Sequence, residues 1–325
     1  MLYPLTFHPI FKERVWGGRE IHKLYKKQLP AGKPIGESWE ISDRPDDESV
    51  VANGPLAGKS LRWLMQHHGA ELLGTAKPAS GNRFPILCKI LDAREKLSLQ
   101  VHPPARKATE LGGEPKTEMW FIANADAEAE LYVGLKRGVT RAQFEKKITN
   151  GTVADCFHRI GVKKGDVMFL PSGRVHAIGS GLVIFEIQQN SDTTYRVFDW
   201  NRAGLDGKPR ELHVAQSLES IDFEDFEPKL ASGFEQIGDV QYRLLVDDPL
   251  FKVTEMKIDD PETVSLPEGA MQIVVAINGG IKAYSRDSGP GLALSAGQFC
   301  LMPASLAKPE IEAQPDTTFL LVRSN

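Results

Sequence analysis

The 325-residue chain carries only three cysteines, Cys88, Cys156 and Cys300. They are odd in number, far apart and without a C-x-x-C pair, which argues against a disulfide framework and fits a reducing compartment. No apolar run approaches the roughly 18 residues that a membrane helix needs. The opening segment Met1–Leu5 lacks a basic stretch followed by a long apolar one, so no signal peptide is expected. Basic blocks are missing too: Lys and Arg number 39 against 43 Asp and Glu, a formal charge of −4. That balance provides no nucleic-acid footprint. Short charge runs such as Arg44–Glu48 read as solvated loops. The expectation is a soluble cytoplasmic protein with neither a nucleic acid nor a membrane as partner.

Apolar residues make up 41% of the chain, enough for a substantial core. Its 29 glycines and 21 prolines separate short runs of branched and aromatic residues, the mark of an all-β sandwich or barrel. Strands are predicted at 39–42, 84–91, 97–102, 119–123, 130–133, 166–170, 182–188, 251–256 and 272–276, with more at 279–285, 298–302 and 318–322. Helices are few. Ser60 caps a predicted helix over 61–73 that Gly74 stops. Thr140 and Gln143 form a capping box for one ending near Gly151, and a third covers 212–219. The irregular stretch at 225–245 suggests a boundary between a domain of residues 1–240, with small helical insertions, and a C-terminal β domain of residues 241–325.

One constellation carries chemistry. Gln100 and His102 lie two apart at the end of an apolar strand, so their side chains share a face, with Ser98 on it as well. Pro103 ends that strand. A second piece, Gly165 to His176, reads G-x5-P-x-G-x2-H: a turn, a strand, a Pro-Gly corner and then a histidine placed on an inner wall. In the third, Lys116-Thr117-Glu118-Met119-Trp120, a carboxylate opens a strand. Two imidazoles, a carboxylate and an amide oxygen (His102, His176, Glu118 and Gln100) suit Zn²⁺, and also Mn²⁺, Fe²⁺ or Co²⁺. Three strong ligands leave a position for water or substrate, as in catalytic sites. Each histidine alone could equally be a satisfied interior residue; the spaced set argues otherwise.

The second piece resembles the second motif of the cupin superfamily, small metal-binding jelly-roll barrels. Gln100 in place of a first histidine, and the long gap to Glu118, narrow the resemblance to the type I phosphomannose isomerases, in particular their compact bacterial subgroup. Trp16-Gly17-Gly18, Gly36–Ser42, Phe84–Lys89, Leu97–Pro103, Lys116–Trp120 and Glu186–Arg196 match in order. The resemblance implies a mainly β fold of two cupin barrels with a few short helices, the second barrel degenerate because residues 241–325 contain no histidine. It further implies one Zn²⁺ per chain and interconversion of mannose 6-phosphate and fructose 6-phosphate through an enediol.

On the same resemblance, Arg196 is the catalytic arginine that stabilises enediolate charge, Glu186 a proton-transfer group and Lys116 a polarising or phosphate-binding group. Lys89 and Ser98 fall at the phosphate end, and Asp192 and Tyr195 shape the sugar pocket. Structural alternatives stand beside these: an Arg196–Asp192 ion pair, and Glu186 as partner of Arg196 or a lysine. The other histidines and the tryptophans read as packing or surface residues. A non-catalytic sugar-phosphate-binding cupin with a regulatory role is the alternative function, and an Fe²⁺ cupin oxygenase a third. The sequence leaves the oligomeric state open.

Overall fold

The computed structural model of the chain describes residues 2–237, 240–285, 289 and 291–324. Residues 238–239, inside the expected 225–245 boundary, lie outside the described residues. The fold is mainly β with a few short helices. Two compact units account for it: Met1–Ile10, Trp39–Cys88 and Ser232–Asn325 form one, Phe11–Ser38 and Lys89–Ala231 the other. This interleaved division differs from the single cut at residue 240. Backbone pairing is the reason. Leu5 and Leu301 exchange hydrogen bonds, and the 72–75 segment bonds to Gly269, Met271 and Ala304.

In the unit holding residues 89–231, a five-stranded antiparallel sheet runs Phe157–Gly161, Glu130–Leu135, His176–Ile178, Leu99–Val101, Tyr195–Phe198. A six-stranded sheet runs Val167–Leu170, Glu118–Ala125, Leu182–Gln189, Ile86–Ala93, Ile10–Gly18, Ile35–Ile41. Trp120, Ile122, Met168 and Ile184 of the larger sheet pack with Leu131, Val133 and Ile178 of the smaller, closing a core between them. Alternation of side chains along each strand supplies both inner faces. Gly17 tolerates no Cβ, which would strike the Gly36 backbone. The Trp-Gly-Gly and Gly-Glu-Ser segments are thus a close strand approach.

The other unit repeats the plan with six strands, from Glu235–Ile237 to Phe299–Met302, and four, from Glu262–Ser265 to Leu292–Ser295. Their inner faces share a core of Val274, Ala276, Cys300 and Phe319 with Ile281, Ala283 and Ile311.

The helix signals act locally as read. Ser60 Oγ accepts the Trp63 amide at the head of Leu61–Leu73, and Gly74 (φ 61°) ends it. Thr140 and Gln143 complete both bonds of the capping box at Arg141–Thr149. A helix over Val214–Ser220 stands where 212–219 was predicted. Glu20–Tyr25 is an addition. Its leading amides, Glu20 and Ile21, both donate to Asp92 Oδ2 at 2.6 and 3.2 Å, a cap supplied from 72 residues away. No described helix is long and apolar enough to cross a membrane.

Candidate metal centre and sugar-phosphate cleft

The ligand candidates converge because both sheets contribute to one space. In the smaller sheet Gln100 is the cross-strand partner of His176 on one side and of Arg196 on the other. Directly opposed residues point to the same face, so these three line the inner wall together. His102 follows the strand end at Val101, and its carbonyl accepts the Gly173 amide at 2.9 Å. Gly173 (φ 95°) is the glycine of the Pro-Gly corner, where a side chain would be strained. The corner therefore delivers His176 beside His102, with ring centroids 4.8 Å apart. From the larger sheet, Glu118 opens its strand and Glu186 lies opposite Trp120.

His102 Nδ1 lies 2.7 Å from the Thr193 carbonyl and His176 Nδ1 3.0 Å from that of Arg174. A carbonyl only accepts, so both Nδ1 atoms carry the proton and both Nε2 atoms offer a lone pair. Arg174 is itself fixed by a two-pronged ion pair with Asp225 at 2.8 Å. Glu118 Oε2 stands 3.5 Å from His102 Nε2, and Oε1 3.4 Å from His176 Nε2. Bonds of about 2.0–2.1 Å at tetrahedral angles set ligand atoms about 3.4 Å apart, so the triad fits a divalent cation. All three side chains are buried, and their candidate ligand atoms lie within 4.8 Å of one another. Both Glu118 oxygens are buried without a hydrogen-bond partner of good geometry, although Lys116 Nζ sits 2.8 Å from Oε2 as an ion pair. The lysine neutralises the carboxylate's charge without closing the site: Oε1 and the two Nε2 lone pairs still converge as a donor set for a metal ion.

Electrostatics agree. Burial pushes His176 down to about 3 and also lowers His102, helped there by the Lys116 ammonium, so both rings are neutral and free to ligate. Burial alone would raise Glu118, but the Lys116 ammonium beside it holds it well below the carboxylate range. Lys116, which burial alone would lower, is raised by Glu118 and Glu186 and stays charged.

Gln100 stands apart from the triad. Its Nε2, not its oxygen, faces His176 Nε2 at 3.2 Å, while Oε1 accepts from Ser98 Oγ at 3.3 Å. A half-turn of the amide would aim the oxygen at the centre and keep a bond to the serine, whose oxygen can also accept.

Beside the triad opens a cleft of about 520 Å³ onto which Lys89, Ser98, Gln100, Lys116, Glu186 and Arg196 all face. Lys89 reaches this space from the six-stranded sheet. Its Nζ is 3.3 Å from Glu186 and 4.0 Å from Glu37. Burial raises the Glu186 carboxyl. Its structural partners are thus Lys89 and the Trp120 indole, which donates to Oε1 at 3.0 Å. Trp120, read as packing, belongs to the site. Asp192 also lines the cleft, but no Arg196–Asp192 ion pair occurs among the described residues. Arg196 donates to the Glu211 carbonyl at 2.8 Å instead. Tyr195 turns away from the sugar pocket it was expected to shape and donates to the Leu111 carbonyl at 2.7 Å.

Sequence reading missed His213, whose amide donates to Arg196 O at 2.8 Å and whose Nδ1 accepts from Arg196 N at 3.3 Å. It missed Arg14, Asp199 and Arg210 as well. Strand spacing could have found Arg14, two residues before Trp16; the others come from loops.

Comparison with known proteins agrees with this arrangement. Residues 5–135 match the phosphomannose isomerase type I catalytic domain. The chain is 37% identical over 260 residues to the probable mannose-6-phosphate isomerase GmuF of Bacillus subtilis, covering 79% of this chain and 81% of that protein. It is 39% identical over 252 residues to mannose-6-phosphate isomerase ManA of the same organism, covering 77% and 78%. The crystal structure of a B. subtilis mannose 6-phosphate isomerase superposes with a TM-score of 0.88 at 31% identity, covering 99% of each chain. With the extent of these matches and the ordered motifs that converge on one cleft, the chain belongs to the type I phosphomannose isomerase family.

Proposed function

We propose that the chain interconverts mannose 6-phosphate and fructose 6-phosphate, with Zn²⁺ held by His102, Glu118, His176 and a turned Gln100, on a pair of cupin barrels of which only the first is catalytic. The observation that carries this reading is the buried Glu118 carboxylate set between two lone-pair imidazoles, beside a cleft onto which Glu186, Lys116 and Arg196 face. A bound divalent cation would polarise a sugar oxygen and stabilise enediolate charge.

The chain's own residues account for the rest. Glu186, its carboxyl raised by burial, moves the proton between C1 and C2. Trp120 and Lys89 fix its orientation at 3.0 and 3.3 Å. Lys116 supplies positive charge beside Glu118, 2.8 Å from its Oε2, and faces the cleft with Glu186. Arg196 stabilises charge on the sugar oxygens, a task suited to a group that keeps its proton. Ser98 and Lys89 contact the phosphate end. The core partners Trp120, Leu91, Leu97 and Ile178 line the cleft and limit water around the enediol.

Residues 241–325 serve as a structural barrel. The three cysteines are free and buried, which supports a cytoplasmic location. A regulatory sugar-phosphate binder would need no paired proton-transfer carboxyl and arginine, so the isomerase reading is preferred. The test is direct. Metal-loaded protein supplied with fructose 6-phosphate is expected to produce mannose 6-phosphate in a coupled assay. Absence of turnover with metal bound would reject the reading.

A further inference from the structure

Each side-chain cation near the triad is already paired with a carboxylate, which leaves none of them dedicated to a phosphate dianion. Arg14, Lys89 and Lys116 face Glu37, Glu186 and Glu118, and each cation lies within ion-pair distance of one or two of these carboxylates. Lys89 is shared between two of them. The balance changes just beyond Arg196. There the Asp199 carboxylate, 5% exposed, is surrounded by guanidinium groups. Arg202 donates to its Oδ1 at 2.9 and 3.1 Å. Arg210 donates to both oxygens at 2.6 Å. Burial and the charge of Arg210 lower the pKa of Arg196, which places the two guanidinium groups within each other's field. Three cations around one buried anion leave two positive charges over. Nearby carboxylates do not cancel them: Glu95 is 4.0 Å from Arg202 and 65% exposed, Glu211 is 83% exposed, Asp206 is exposed with Oδ1 engaged by the Lys208 amide, and Asp192, which lines the same cleft, is exposed and forms no ion pair with Arg196 among the described residues.

The three arginines are not equivalent. Arg202 donates to the Lys96 carbonyl at 2.6 Å and faces a second recess with Tyr132 and Trp200. Arg196 and Arg210 face the catalytic cleft. A turn closed by the Ala203–Pro209 bridge returns the chain, so that residues 202 and 210 both reach Asp199. Two edges of Arg210 are taken by Asp199, and its Nη1 has no hydrogen-bond partner among the described residues. Strand register supplies the direction. Arg196 opposes Gln100 and Phe198 opposes Leu99, so Asp199 continues toward Ser98 and away from His102. The Asp199–Arg210 pair thus stands at the Ser98 end of the cleft.

We propose that Arg210 is the principal phosphate-gripping residue of this cleft, and that Asp199 is the positioning residue that fixes its guanidinium. The assignment deepens the isomerase reading and rests on it for the identity of the sugar. A planar guanidinium clamped along one edge keeps its remaining donors pre-oriented for an oxyanion.

The test measures kcat and KM for fructose 6-phosphate, together with binding of inorganic phosphate by calorimetry, on metal-loaded protein. Arg210→Ala is expected to raise KM and weaken phosphate binding, each on the order of 10–100-fold, while kcat stays within about threefold. Arg210→Lys is expected to recover part of the loss, and it serves as the working variant if the alanine form misfolds. Asp199→Asn is expected to raise KM roughly 3–10-fold in the wild-type background. In the Arg210→Ala background it should add nothing, a non-additivity that a merely structural role would not produce. Unchanged phosphate binding in Arg210→Ala, or a full Asp199→Asn effect without Arg210, would overturn the assignment. If the wild type showed no turnover but Arg210→Ala still weakened phosphate binding by this factor, the isomerase reading would fall and the anion site would stand.

Discussion

Replacing Trp120 by phenylalanine removes the hydrogen bond that its indole gives Glu186, together with part of a buried ring. The indole Nε1 donates to Glu186 Oε1 at 3.0 Å, with both residues buried. Its contribution opposes the burial that raises the Glu186 carboxyl. A hydrogen bond to a charged group contributes about 1.5–3 kcal/mol, and each pKa unit corresponds to about 1.4 kcal/mol. Without the indole, the carboxyl is expected to rise by roughly one to two units further. A proton-transfer carboxylate must be ionised to accept, so activity is lost as pH falls through its pKa. The acid limb of the kcat–pH profile should therefore move up by that amount, while kcat well above the new pKa stays close to wild type. An acid limb that does not move, with kcat scaled down equally at every pH, would refute Glu186 as the titrating group.

Arg196→Ala should leave metal content at the wild-type level and lower kcat by about 10²–10³-fold, the size of one lost donor to a developing oxyanion; elemental analysis beside kinetics checks it. Asp92→Asn separates charge from capping. Burial lifts the Asp92 carboxyl to about 6, so the folded state binds the proton more tightly than the unfolded state. The stability this confers is complete below the unfolded value near 3.8 and is lost as pH rises through about 6. The loss amounts to roughly 3 kcal/mol. Both capping bonds end on a single oxygen, Oδ2, which an asparagine carbonyl can replace. The variant should match the wild type near pH 4 and exceed it by roughly 2–3 kcal/mol at pH 8 in urea unfolding. A difference that does not grow with pH would contradict the buried-charge argument.

What the sequence made legible was local. Ser60, Thr140 and Gln143 accept from amides three residues away, and Gly74 donates its own amide to a carbonyl four residues back, so their signals survive without tertiary knowledge. The period-two relation of Gln100 to its neighbours, and the Pro171–Gly173 corner before His176, fix side-chain direction within a few residues. What failed was long-range or borrowed from the wrong geometry. An Arg196–Asp192 pair is reasonable on a helix. Along extended chain, however, four residues span about 13 Å, and Arg196 turned to Glu211 instead. The cap of Glu20–Tyr25 comes from Asp92, and Trp120 became part of the site only because its strand pairs with the one carrying Glu186. Interleaving of the units depends on pairings such as Leu5 with Leu301, which no composition shift marks. The Asp199 cluster is assembled by a loop whose return could not be read from charge order.

The central claim is that His102, Glu118 and His176 hold a catalytic divalent ion. Its most direct test is metal content and isomerase turnover measured on the same preparations of wild-type protein, His102→Ala and His176→Ala. About one divalent ion per wild-type chain is expected, with turnover of fructose 6-phosphate, and both are lost together in each variant. Variants that are folded and active, with metal content unchanged, would contradict it.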